Sequence, residues 1–193
     1  MTTYILSRTS PKNTVLTNPE GQVVYEISST YHLGGSETTI KRGSQLLATI
    51  HWKAFLRSTI TWNGQTTKIN EIFPRSRMLS VYGLSSSYEI PKVINALCRS
   101  RIYTTPGGEK FKWKDKARLY CVSVDTGLNL ATYERVHFRY FRDKKSTLDI
   151  TSAGAHLADA LVVTWAIAEK KARDRRRSRR NGGGGGGGGV DGG

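Results

Sequence analysis

The chain has 193 residues, a formal net charge of +15 and two cysteines. Four Trp, nine Tyr and five Phe are enough to furnish a core, which excludes a disordered composition, and two cysteines exclude a disulfide framework. The excess of cations points to anionic partners: phospholipid headgroups, nucleic acid or acidic proteins.

The start, Met1-Thr-Thr-Tyr-Ile, lacks a basic region and a long apolar run, and Thr2 stands where myristoylation needs a glycine. A cytoplasmic location is expected, with peripheral membrane or nuclear placement as the further options, and Cys98 and Cys121 are expected as ordinary reduced thiols. The first half then reads as strand, turn, strand. Gly21 to Ser28 is a β-branched run entered through the turn Asn18-Pro-Glu-Gly21. Thr38 to Lys41 leads through Arg42-Gly43-Ser44 into Leu46 to Trp52, a hairpin pattern. Ser58 to Trp62 and Gln65 to Ile69 flank Asn63-Gly64, the strongest short hairpin signal, because both turn positions take positive φ.

The second half repeats this grammar. Arg101 to Thr105 and Glu109 to Trp113 flank Pro106-Gly107-Gly108, and Ala117 to Ser123 turns at Asp125-Thr-Gly127. Asn129 to Phe141 alternates as one long strand, and Thr147 to Ile150 is a last short one. About ten short strands joined by tight turns predict a barrel or sandwich.

The element that follows is different in kind. From Leu157 to Ala168 only Asp159 and Thr164 are polar, so this helix has no solvent face and must be surrounded. Its twelve residues rise about 18 Å, against the ~30 Å of a bilayer's hydrocarbon core, so no transmembrane span is expected. The better partner is the sheet that precedes it. Thr151 or Ser152 is a suitable N-cap, and His156 and Asp159, three apart on one side, are expected to bond to each other or to barrel backbone.

Between Lys170 and Arg180 lie eight basic residues, Lys170, Lys171, Arg173, Arg175, Arg176, Arg177, Arg179 and Arg180, against one acid, Asp174. This run is the concentrated chemical signal of the chain and supplies the candidate anionic-ligand residues. It has three readings: a contact with anionic membrane lipid, a nuclear-localisation or RNA-binding segment, or a solubilising end to a helix whose C-terminal dipole favours cations. Ser178, among the arginines, is a candidate phosphorylation switch. Beyond Asn181 a run of eight glycines has nothing to bury and reads as a flexible tail. The expected organisation is one domain over residues 1–173, with its helix near 152–173, and a tail over 174–193.

No enzyme constellation emerges. His32, His51, His137 and His156 are far apart and lack Cys or acidic neighbours at metal spacing. No P-loop, dinucleotide fingerprint or nucleophile elbow occurs. No catalytic residue, metal site or cofactor is expected, and the chain reads as a non-enzyme.

Asn13-Thr-Val-Leu-Thr, Gly21-Gln-Val-Val-Tyr-Glu-Ile, Thr38-Thr-Ile-Lys-Arg-Gly, Leu47-Ala-Thr-Ile-His-Trp, Phe111-Lys-Trp and Leu161-Val-Val-Thr-Trp together resemble a fungal domain family of unknown function. That family is common in mushroom-forming fungi and belongs with the tubby C-terminal-like superfamily, beside LURP-one-related proteins and phospholipid scramblases. The resemblance covers roughly residues 3–173. It implies a closed antiparallel β-barrel of about twelve strands threaded by the hydrophobic C-terminal helix. Tubby-like domains bind phosphoinositides through basic residues on the barrel surface. By that analogy Lys41 and Arg42, in a predicted turn, join the candidates, although fold alone does not fix function.

Residues 81–99 interrupt the family pattern. Joining Leu79-Ser80 to Ser100-Arg-Ile-Tyr restores it, and the codons of Val81, Ile94-Asn95 and Cys98-Arg99 are compatible with the signals of a short intron. The segment is either an intron retained in the gene model or a surface-loop insertion, which barrels tolerate. Two functions follow from the whole reading. One is a tubby-like module that binds anionic phospholipid or phosphoinositide membranes peripherally. The other is a nuclear or RNA-associated scaffold directed by the arginine run.

Overall fold

The computed structural model describes residues 1–54, 57–74, 101–116, 118–136 and 145–181. The insert at 81–99, Cys98, His137 and the glycine run lie outside the described residues. Twelve strands form one antiparallel sheet: β1 (Thr2–Leu6), β2 (Thr14–Thr17), β3 (Val23–His32), β4 (Gly35–Arg42), β5 (Gln45–Lys53), β6 (Thr59–Trp62), β7 (Gln65–Lys68), β8 (Arg101–Thr104), β9 (Lys110–Asp115), β10 (Leu119–Ser123), β11 (Asn129–Glu134) and β12 (Thr147–Ile150). A short helix α1 (Ile69–Ile72) follows β7. A 3-10 turn (Ser152–Leu157) leads from β12 into the long helix α2 (Ala158–Asn181).

The order across the sheet is β7-β6-β5-β4-β3-β2-β1-β12-β11-β10-β9-β8. Every neighbour but one is consecutive in the chain, which is what short turns require. The exception, β1 against β12, pairs Thr2 with Ile150 and Tyr4 with Leu148, so it brings the two halves together. The Asn63-Gly64 hairpin forms as its residue types demand, with φ of 50° and 75°. Of the long strand expected from Asn129 to Phe141, the ladder runs from Asn129 to Glu134, Arg135 and Val136 are outside it, and residues 137–141 lie outside the described residues.

One face of the strands is apolar, and that face receives the helix. Leu6, Leu16, Tyr25, Ile40, Ile50, Ile60, Phe111, Trp113, Tyr133 and Leu148 all point to one core. Within α2 every residue from Leu161 to Glu169 is buried, so the helix is encased all round, as its composition requires. Thr164, a buried polar residue in this stretch, is satisfied twice. Its hydroxyl donates to the Ala160 carbonyl (2.7 Å) and accepts the Trp113 indole N–H (2.9 Å). Trp165 meets Tyr133 edge to face at 5.1 Å.

The sheet is not closed by its own ladder, because β7 and β8 are not paired. The all-polar β7 gives way to α1, and buried Ile69 and Phe73 fill the space between the two edges. Arg101 donates to the Phe73 carbonyl (2.8 Å), the Ile102 amide donates to the Pro74 carbonyl (3.1 Å), and Trp62 stacks on Tyr103 at 5.1 Å. Side chains and loop backbone thus bring these edges together, in place of the strand pairing of a closed barrel.

The helix start also differs from expectation. Thr151 occupies the cap position of the 3-10 turn but makes no capping bond; its hydroxyl donates to the Asn129 carbonyl instead (2.7 Å). Three residues on, Gly154 lies so close to β11 that a Cβ would sit 2.5 Å from the Leu130 carbonyl oxygen. Gly154→Ala should therefore destabilise the domain by about 2 kcal/mol, read as a lowered midpoint in urea. An unchanged midpoint would show that this approach does not anchor the helix.

Candidate functional site

The apolar stretch of α2 ends at Glu169, and Glu169 is 0% exposed. A carboxylate this deep needs partners, and the fold supplies three guanidinium groups. Arg135, just past β11, donates from Nε to Oε1 at 3.1 Å and closes a second bond to Oε2. Arg173, one turn along α2, donates from Nε to Oε1 at 2.6 Å, and its other arm reaches the Thr9 carbonyl in the β1–β2 loop. Arg176 approaches the same Oε1 at 3.5 Å. Arg175 and Arg176 also reach Asp115 at the end of β9, at 2.9 and 3.6 Å. Lys170 pairs with Asp174 at 2.6 Å and lies over the Trp52 ring, 4.5 Å from its centroid.

The basic run is therefore not a free tail. The helix continues to Asn181, past the boundary at 173 read from the sequence, because these pairs fasten it to β5, β9, β11 and the β1–β2 loop. Four of the eight cations, Lys170, Arg173, Arg175 and Arg176, hold the helix in place. Lys171 is half-buried beside them. Arg177, Arg179 and Arg180 are exposed, with no carboxylate partner among the described residues.

Paired and unpaired arginines meet in one groove of about 290 Å³, lined by Thr9, Arg135, Val136, Arg173, Arg176, Arg177 and Arg180. Five guanidinium groups border it, with Glu169 at their base. The crowding is visible in Arg176, whose affinity for its proton is lowered first by burial and then by repulsion from Arg135. Burial works the same way on Arg135, but its bonds to Glu169 and the carboxylate charge outweigh it and raise its pKa. Both guanidiniums stay charged, so the groove carries uncompensated positive charge suited to an anion with several oxygens.

Lys41 and Arg42 do not belong to this groove. Arg42, at the end of β4, donates to both oxygens of Asp159 at 3.2 and 3.3 Å, and the Tyr25 hydroxyl donates to the same carboxylate at 2.7 Å. The Tyr25 hydroxyl is pushed well above its usual pKa, first by burial and then by Asp159. Asp159 opens α2 and Arg176 lies 17 residues along it, about 25 Å at 1.5 Å per residue. The two sets of candidates thus sit at opposite poles, with Lys41 exposed beside Arg42. His156 and Asp159, expected to bond to each other or to barrel backbone, take other side chains instead: His156 pairs with Glu109 at 3.0 Å, and Asp159 with Tyr25 and Arg42. His51 pairs with Glu37 at 3.1 Å, and His32 meets the Thr30 hydroxyl at 3.3 Å. Cys121 is buried, and burial raises its thiol well above the usual range.

Sequence reasoning missed Thr9, Asp115, Arg135 and Glu169. Three of them lie in loops or strand ends where nothing local marks them. Glu169 carried a faint signal, since it directly follows the helix stretch that has no solvent face, with Ala172 buried one turn further on. Removing its charge should take the carboxylate from Arg135 and Arg173 and leave Arg176 with Asp115 alone. Glu169→Gln is expected to lower the free energy of unfolding by about 3 kcal/mol, measured in urea; a loss below about 1 kcal/mol would reduce the cluster to a surface-type ion pair.

No curated protein matches the chain. A solved X-ray structure of a protein from Arabidopsis thaliana is similar over 86% of this chain and 90% of that one, with 12% sequence identity and a TM-score of 0.42. No described helix is long and apolar enough to cross a membrane. The profile of a family of unknown function, DUF6593, matches residues 9–174, from the threonine that receives Arg173 to the acid that receives Lys170, and the chain belongs to that family.

Proposed function

We propose that this domain is a non-enzymatic, tubby-like module, of the kind found in fungi, that binds anionic phospholipid or phosphoinositide surfaces peripherally from the cytoplasm. The observation that carries the reading is the arginine groove. Arg135 comes from the β-sheet body and Arg173, Arg176, Arg177 and Arg180 from the helix, so the positive charge is held in a fixed arrangement. Charge held on rigid elements costs less ordering entropy on binding than charge on a disordered tail. The helical state of the run also weighs against its use as an extended localisation signal. In the same reading, the sheet curved around α2 stands in for the closed barrel that the resemblance implies.

The groove's structural and unpaired arginines must be separated in any test. Deleting residues 170–180 would remove Arg173, Arg175 and Arg176 and so dismantle the Glu169 and Asp115 clusters. Replacing Arg177, Arg179 and Arg180 together with Gln leaves those clusters intact. At about 1 kcal/mol for each cation near an anionic surface, the triple variant should bind phosphatidylserine or phosphoinositide vesicles about 100-fold more weakly, with unchanged thermal stability. Co-sedimentation across a salt series reads this, and wild-type binding should weaken as salt rises. Wild-type protein that ignores acidic vesicles but binds RNA would overturn the reading in favour of the nucleic-acid alternative.

A further inference from the structure

A second feature lies at the same pole as the arginine groove. The β3–β4 connection is a two-residue turn, Leu33-Gly34, in which His32 pairs with Gly35 and Gly34 takes the left-handed corner at φ 92°. Gly34 permits that corner without strain, and the turn leaves Leu33 at the tip, 108% exposed. Tyr31, two residues back, is 63% exposed. Among the described residues Leu33 takes no part in the core.

Its place is fixed relative to the groove by contacts. Gly35 pairs with Lys53, the Ala54 amide donates to the Gly34 carbonyl (3.0 Å), and the neighbouring Trp52 carries Lys170 of α2 on its ring. On the other side, Ser29 of β3 donates its hydroxyl to the Lys12 carbonyl (2.6 Å), and its amide donates to the Asn13 side chain (2.6 Å). Lys12 extends over the Tyr31 ring at 4.9 Å. The same β1–β2 loop supplies Thr9, which receives Arg173 and lines the groove. Groove, loop and hairpin tip are therefore neighbours on one end of the domain. Exposed Arg8 and Lys53 add cations, and Glu37, the nearest acid on β4, is occupied by His51.

We propose that this pole docks flat on an anionic bilayer, with Leu33 inserted into the headgroup–acyl boundary, Tyr31 at the interface and the arginine groove on the headgroups. An apolar tip ringed by cations suits a lipid surface, which offers hydrocarbon beneath negative charge; RNA offers the charge without the hydrocarbon. The inference rests on the membrane reading above and adds to it an orientation and an apolar anchor.

The test places a cysteine at the tip, Leu33→Cys in a Cys98→Ser background, and labels it with an environment-sensitive fluorophore; buried Cys121 is shielded from the label. The partner is a vesicle of phosphatidylcholine and phosphatidylserine. On binding, the label should shift to the blue and be quenched by brominated acyl chains. The same label at Glu20, in the turn at the opposite pole, should do neither. Leu33→Ser should weaken vesicle binding about tenfold, the loss of roughly one partly buried leucine side chain, with an unchanged salt slope. Vesicle binding with a label that stays in water at residue 33 would overturn the orientation and leave the membrane reading standing. Failure of the unsubstituted protein to bind acidic vesicles, with or without RNA binding, would overturn both.

Discussion

The rest of this structure depends on the helix having no face for water. Nine consecutive buried residues, Leu161 to Glu169, must be covered on every side, and the remainder of the chain is organised to cover them. A flat sheet could cover only one side. A sheet of twelve strands can curve, because strand twist accumulates from neighbour to neighbour. The pairing of β1 with β12 then joins the first strand to the last and sets the two halves around a common axis. The seam between β7 and β8 shows the same constraint from the other side. Where ladder pairing stops, α1, Phe73 and the Trp62–Tyr103 stack still keep the core covered.

Encasing a helix raises the question of how it leaves the core, and the two ends answer differently. At its start the polar groups are few and each has a side-chain partner. Asp159 takes Tyr25 and Arg42, and His156 takes Glu109. At its end a single buried carboxylate is surrounded by more cations than it can neutralise. Such clusters contribute less net stability than their geometry suggests, because desolvation offsets much of the attraction. What they do supply is position: arginines that would otherwise trail in solvent are held against Thr9, Asp115 and β11. The surplus charge is thereby presented from a rigid platform, next to the apolar tip of the β3–β4 hairpin.

Much of the fold is legible from residue types that act locally. Asn63-Gly64 forms its hairpin because few other residues take positive φ at both corners. The apolar run of α2 must be buried whatever surrounds it. The candidate site is legible only in part. Lys170 to Arg180 stand out as charge, but nothing local says that Arg175 turns to Asp115 while Arg180 stays free of any described carboxylate. Lys41 and Arg42 illustrate the converse. They share the run's chemistry, yet β4 carries them to the opposite pole, where Arg42 is taken up by Asp159.

By itself, then, the sequence determined the strand-rich body, the encased helix, the turn positions and the excess of positive charge near the end of the chain. These follow from side-chain volume, backbone preference and net charge, all of which are properties of short segments. The tertiary structure alone decided which arginines are structural and which face outward. It also decided that Arg135, just past β11, joins them, that the helix extends to Asn181, and that the exposed Leu33 lies at the groove's end of the domain. Those outcomes depend on distances between residues as far apart in the chain as Thr9 and Arg173. The pairing of strands brings such residues together, and no local pattern encodes the result.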